Sequence, residues 1–372
     1  MIEFLRNLIQ TRSLSGKENG VAELVSREMK KLGYVVEMDE MGSIVGRRGR
    51  EGGKTILFDA HMDHIGEGSP ESWTHEPYKA EVVNGKMYGR GTVDMKGSLA
   101  AMLYGCAAPD LKGRIYVTCV VHEETSEGVA TRKIIEDRGL KIDACVLGEP
   151  TDLKLSIGQR GRCVLRVTTT GVISHASMPE LGVNALYKMM PVIERIRGEN
   201  EHMPHDAFLG TGSMAITSIS ASPGAGPIVP DRCEILVDRR LVPGESLEGV
   251  LQQMDMLLLD ANVELVEDEL LCYTGLKTRV KQYFPGWITD ANHWVVKQSL
   301  EALGDALGRQ PDIVGWKFST DGVATAGELS IPTLGFGPGD PSLAHQPDEH
   351  IFLSDVVSAA QGFSNLSYRL SE

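Results

Sequence analysis

The chain has 372 residues, 42% of them hydrophobic and 24% charged, with a formal charge of -14 from 51 acidic against 37 basic residues. That length can bury a large core and divide into two domains, while the acidic balance speaks against nucleic acid and anionic membrane surfaces as partners. No run of about 18 apolar residues exists to span a membrane, and the N-terminal stretch, acidic early and apolar only in pieces, does not read as a secretory signal.

In chain order, Val21, Leu24, Val25, Met29 and Leu32 share one face at helical spacing, and Gly33 closes that helix. "KTILFDA" (54–60) is a strand and "GSLAAMLYGCAA" (97–108) a helix. "RIYVTCVV" (114–121) is a strand buried on both faces, "GVATRKIIEDRG" (128–139) a helix and "DACVLG" (143–148) a strand. Strands alternating with helices predict an α/β layer built on a mixed, largely parallel sheet flanked by helices. After about residue 160 the style changes. "GRCVLRVTTTGVIS" (161–174) alternates with period two, as a half-exposed strand does. "NALYKMMPVIERIRG" (184–198) and "LEGVLQQMDMLLLD" (247–260) are helices, and "SMAITSISAS" (213–222), "CEILVDRRL" (233–241) and "NVELVEDELLC" (262–272) are strands. The helix 293–308 and the strand "IPTLGFG" (331–337) then resume the α/β pattern. The expectation is a catalytic domain of residues 1–160 and 275–372 with a smaller α+β domain, 161–274, inserted into it. Six scattered cysteines form no C-x-x-C pair, and four lie in apolar strands, which fits a reducing cytoplasm.

Ligands of open α/β sheets bind beyond the carboxyl ends of the strands. Here those ends carry metal-type side chains: His61-Met62-Asp63 after the first strand, His122-Glu123-Glu124 after the second, Glu149 after the third, and His345 after "IPTLGFG" and a Gly/Pro loop. Asp94 lies in the glycine-rich "YGRGTVDMKG", just before a helix. Each has an ordinary alternative. Adjacent glutamates are usual in a solvated loop, and Asp94 fits a turn or cap. Their shared location is harder to assign to chance, because several acids in one cleft repel unless cations are present. Imidazole and carboxylate ligands without thiolate suit zinc, cobalt or manganese.

The ordered set "HMD", "GRGTVDMKG", "HEETSEG", "GEPT", "SHASMP" and "AHQPDE" resembles the metallo-deacylases and peptidases that include acetylornithine deacetylase, succinyl-diaminopimelate desuccinylase and the carboxypeptidase G-type enzymes. The resemblance runs over nearly the whole chain. A finer likeness, through "W-x-x-x-P-Y" (73–78), "DRR" (238–240) and "GFGPGD" (335–340), is to hydrolases linked to selenium metabolism. The resemblance implies two divalent metal ions: His61 and Glu149 on one, Glu124 and His345 on the other, and Asp94 bridging both. It makes Asp63 a support for the His61 ring and Glu123 the general base for a water of lowered pKa. Neighbouring side chains leave a strand in opposite directions, which would send Glu124 to a metal and Glu123 to the water. His175 matches a histidine that reaches a partner subunit's site, and the inserted domain implies a homodimer; a helix cap is the alternative for His175. Arg239, Arg240 and the backbone of Gly337 are candidates for a substrate carboxylate, with an ion pair or a turn as the alternatives. Pro227 stands where the family often has a substrate-contacting Asn. His64 and His122 are expected just behind the ligands. The function implied is hydrolysis of an N-acyl amino acid by an amidohydrolase; alternatives are a dipeptidase or aminopeptidase on the same site, or a non-catalytic metal-binding protein.

Overall fold

In the computed structural model, which describes residues 1–107, 110–224 and 226–372, the alternating runs pair into one mixed sheet. The Thr55–His61 strand lies between Arg114–Val120 and Ala144–Leu147, parallel to both, and Thr333–Gly335 continues the parallel set. Antiparallel strands extend both edges, with Val35–Met38 and Ile44–Gly49 beyond Arg114–Val120 and Leu155–Gln159 with Trp287–Ile288 beyond Thr333–Gly335. Side chains of Thr55–His61 leave on alternate faces. Ile56 and Phe58 enter a core with the helices Ile2–Gln10, Asn19–Lys31, Gly97–Ala107 and Leu353–Leu370; Leu57 enters one with Ile135, Trp316 and Ile331. Burial on both faces is why these strands read as continuous apolar runs. The last residue expected in the helix 97–108, Ala108, lies outside the described residues. The helices Ile2–Gln10 and Leu353–Leu370 are additions to the elements named from the sequence.

Residues from Gly161 onward build a second, antiparallel sheet in the order Ser213–Ser222, Arg232–Leu241, Gly161–Thr170, Asn262–Leu265. Its period-two residues Cys163, Leu165, Val167, Cys233, Ile235 and Val237 meet Met189, Val192, Val250 and Met254 of the helices Ala185–Glu199 and Leu247–Leu257 in a separate core. The strand expected over 262–272 is broken: Asn262–Leu265 pairs with Gly161–Thr170, while Glu267–Leu271 turns away to pair with Lys277–Lys281. Tyr283–Phe284 still pairs with Cys163 and Arg162, so the chain stays on the small sheet past the return expected at 275 and rejoins the large sheet at Trp287–Ile288. Among the described residues, no helix is long and apolar enough to cross a membrane.

The Gly97–Ala107 and Leu353–Leu370 helices cross closely at Gly105, where an added Cβ would run into the Ala360 carbonyl and lie 2.8 Å from the Phe363 Cβ. Alanine is the better helix former by about 1 kcal/mol, yet Gly105→Ala should destabilise the protein by about 1–3 kcal/mol through overpacking. Denaturant unfolding measures this; a midpoint at or above wild type would contradict the close crossing.

Candidate active site

Register brings the strand ends together. His61 pairs opposite Val120, and the Met62 N–H bonds the Val120 carbonyl at 2.8 Å, so residues 61–63 lie beside the chain leaving the next strand. On the other side the Gly148 N–H bonds the Asp59 carbonyl at 2.8 Å, which sets Glu149 one residue beyond. The Thr92–Lys96 turn carries Asp94 in from the start of the Gly97–Ala107 helix.

Asp94 divides its two oxygens. Oδ1 lies 2.9 Å from His61 Nε2, and Oδ2 lies 3.2 Å from His345 Nε2. Around His61 Nε2 also stand Glu149 Oε1 at 3.6 Å and Glu123 Oε2 at 3.8 Å; Glu124 Oε2 is 3.1 Å from His345 Nε2. Two donors each bound to a tetrahedral zinc at its usual bond length stand about 3.3 Å apart, so these separations suit donors that share a cation. His61 Nδ1 bonds the Asp63 carbonyl at 2.9 Å. Donating there as N–H leaves Nε2 with its lone pair toward the carboxylates, the orientation of a ligand imidazole. The buried Glu124 Oε1 has no hydrogen-bond partner, which is a position for a cation to fill.

The electrostatics agree. Burial holds Glu123 well above the usual carboxylate range, with the charge of Glu149 adding to it against an offset from His61. Burial also raises Glu149 and Glu124, each helped by the charge of Asp94. Burial opposes ionisation of Asp94 too, but hydrogen bonds from His345 and His61 leave it below the ordinary value. Contacts with Asp94 and Glu124 push His345 up to about 10. Without cations the cluster must hold protons to relieve its repulsion; cations would do the same work and leave the histidines neutral.

Glu123 and Glu124 serve different neighbours, but by a turn rather than by strand alternation. The strand ends at Val120, His122 takes a positive φ of 61°, and the chain turns through both glutamates. Three successive N–H groups of that turn meet carboxylates. His122 donates to Glu18 at 3.2 Å, and Glu123 and Glu124 donate to the two oxygens of Asp63, each at 3.2 Å. Asp63 therefore supports both the His61 ring and the glutamate turn, and Glu18 is a supporting residue that no sequence motif marked.

The cleft over these groups has a volume of about 340 Å³. Phe318 and Ser319 of "FSTDG" line it, as do Glu127, Arg162 and Arg240. Arg162 is bound to Glu127 through two hydrogen bonds of 2.9 and 2.6 Å, and Arg240 to Asp238 through two of 2.8 and 3.2 Å. Each cleft arginine is thus already matched by its own carboxylate and does not neutralise the four acids at the histidines. Arg162 went unmarked because it looks like one more polar position of an alternating strand.

Three sequence candidates fall elsewhere. Arg239 points to the opposite side of its strand from Arg240 and is buried against Glu245 and Gln253, so it is a structural ion pair and not a substrate contact. Gly337 has its N–H committed to Thr151 Oγ1 at 3.1 Å and is not free for a substrate carboxylate. A Cβ at Gly337 would lie 2.5 Å from the Glu149 carbonyl, so glycine there lets the strand end carrying Glu149 pack closely. His175 is exposed on the small sheet's side, bonded to Ser177, and does not join the cleft of its own chain. Pro227 sits beside it, accepting the Ala176 N–H at 2.7 Å. His64 bonds Ser13 and Ile65, and His122 faces Thr125 and Leu271, so both hold loops behind the ligands.

Residues 57–369 match the family described as peptidase family M20/M25/M40. The chain is 35% identical over 370 residues to "Uncharacterized protein YgeY" of Escherichia coli strain K12, covering 97% of this chain and 92% of the relative. It is 27% identical over 380 residues to the succinyl-diaminopimelate desuccinylase of Hydrogenovibrio crunogenus, covering 98% and 97%. Its fold is similar to that of the M20 family metallo-carboxypeptidase Sso-CP2 from Sulfolobus solfataricus, with a TM-score of 0.78 at 18% identity over 100% of this chain and 98% of that one. A family match over most of the chain, on a fold that gathers two imidazoles and three further carboxylates around the divided oxygens of Asp94, makes this protein a member of peptidase family M20/M25/M40 and a metallohydrolase acting on amide bonds.

Proposed function

We propose that the protein removes the acyl group from an N-acyl amino acid, using two divalent cations held by His61, Glu149 and Asp94 on one side and Asp94, Glu124 and His345 on the other. The observation that carries this reading is the division of Asp94, whose two oxygens face two separate imidazoles at 2.9 and 3.2 Å. The likeness to a desuccinylase along the whole chain supports the acyl substrate. Zinc, or else cobalt or manganese, would supply there a water of lowered pKa and a polarised carbonyl.

Glu123 is the group placed to take a proton. Its Oε2 stands 3.8 Å from His61 Nε2, beside the donor set, where it would accept a proton from the attacking water and return it to the leaving amine. Asp63 keeps the His61 ring and the Glu123 backbone fixed. Arg240 keeps its candidacy for a substrate carboxylate, since it lines the cleft. The unit expected at 161–274 would form the cleft's second wall and a homodimer interface, which the exposed apolar residues Leu181, Tyr187 and Met190 support; His175 would then serve a partner's site. The six cysteines are free and buried, which supports a cytoplasmic setting.

Glu123→Gln should lower turnover by about 10²- to 10⁴-fold with metal content unchanged by elemental analysis; full activity would sink the assignment of the base. Glu124→Gln should instead lower the bound metal below two equivalents. A panel of acetyl- and succinyl-amino acids set against dipeptides decides the leaving acyl group. Preference for dipeptides would move the reading to a peptidase, and no turnover of any amide by the metal-loaded protein would favour a binding role.

A further inference from the structure

Asp94 and His345 lie far apart in the chain, on two separate turns, yet face each other across 3.2 Å. Packing of the His345 side chain does not fix this distance, because that side chain is 46% exposed. Its backbone does not relax into place either, since His345 has a positive φ of 65°. Something beneath the two turns must hold them.

Arg90 and Glu349 lie there, both buried, with Arg90 Nη1 2.6 Å from Glu349 Oε2. The other oxygen of Glu349 accepts the N–H groups of Val93 at 2.8 Å and of Asp94 itself at 3.1 Å. Arg90 also donates to the second turn, with Nη2 3.3 Å from the His345 carbonyl and Nη1 3.4 Å from that of Gln346. The Glu349 carbonyl also accepts the Gly89 N–H at 2.8 Å. The pair is roofed by the "W-x-x-x-P-Y" element, with the Trp73 ring 5.1 Å from the Arg90 guanidinium and the Pro77 carbonyl accepting the Arg90 N–H at 2.8 Å.

We infer that Arg90 and Glu349 are positioning residues, a buried clamp that fixes the turn carrying Asp94 relative to the turn carrying His345 and so sets the affinity of the cation those two residues share. The inference rests on the two-cation reading above. Only a planar fork can serve the carboxylate and the second turn's carbonyls at once; a lysine keeps the charge but offers a single point of attachment. The clamp also gives the 73–78 element a task in this chain, which is to exclude water from the ion pair.

The test is titration of the metal-stripped full chain with zinc against a chromophoric chelator, for wild type, Arg90→Lys, Glu349→Gln and, as a control, the exposed Arg197→Lys on the Ala185–Glu199 helix. Wild type and the control should bind two equivalents alike. Arg90→Lys and Glu349→Gln should bind one equivalent about 10- to 100-fold more weakly, the usual effect of losing a group that orients a ligand. If Glu349→Gln does not fold, Arg90→Lys carries the test. A folded Arg90→Lys protein that unfolds at lower temperature but binds both equivalents with wild-type affinity would overturn the inference, because the pair would then be structural only. A wild type that binds fewer than two equivalents would overturn the two-cation reading and the clamp with it.

Discussion

Like charges crowded at one edge of a sheet are the constraint on which the rest of this structure depends. Asp94, Glu123, Glu124 and Glu149 meet two imidazoles, and among the described residues lining the cleft the arginines are already bonded to carboxylates of their own. In water such a cluster would spread; here parallel strands in fixed register hold it together. Cohesion must then come from protons or cations, and the separation of the donors suits cations.

A second set of acids does a different job. Asp63, Glu18 and Glu349 accept backbone N–H groups from the very turns that carry Glu123, Glu124 and Asp94. A carboxylate that receives main-chain N–H groups fixes the backbone more firmly than side-chain packing at a half-open cleft could. The excess of acidic residues is thus partly an excess of anchors. Their buried burden is shared out: Glu349 has Arg90, and Asp63 has His61 and Ser15.

The small sheet contributes to the cleft without entering the donor set. Its Arg162 bonds Glu127 of the large sheet's domain, and its Arg240 faces the same space. One wall of the cleft therefore carries the imidazoles and carboxylates, and the other is built on a separate core.

The sequence by itself determined the α/β core and the presence of a second α+β unit, and it marked His61, Asp94, Glu123, Glu124, Glu149 and His345 as candidates, because apolar period and strand-end chemistry are local properties of the chain. It left the break at Val266 invisible, since an alternating run does not say with which partner each half pairs. It could not separate Arg239 from Arg240, adjacent residues whose fates depend on which side of a strand faces a core. It could not see that the Gly337 N–H is already spent, nor that Arg90 and Glu349 meet. Only the tertiary structure decided which oxygen of Asp94 faces which histidine and which acids anchor turns, because those distances join residues remote in sequence and are set by register and packing, not by local pattern.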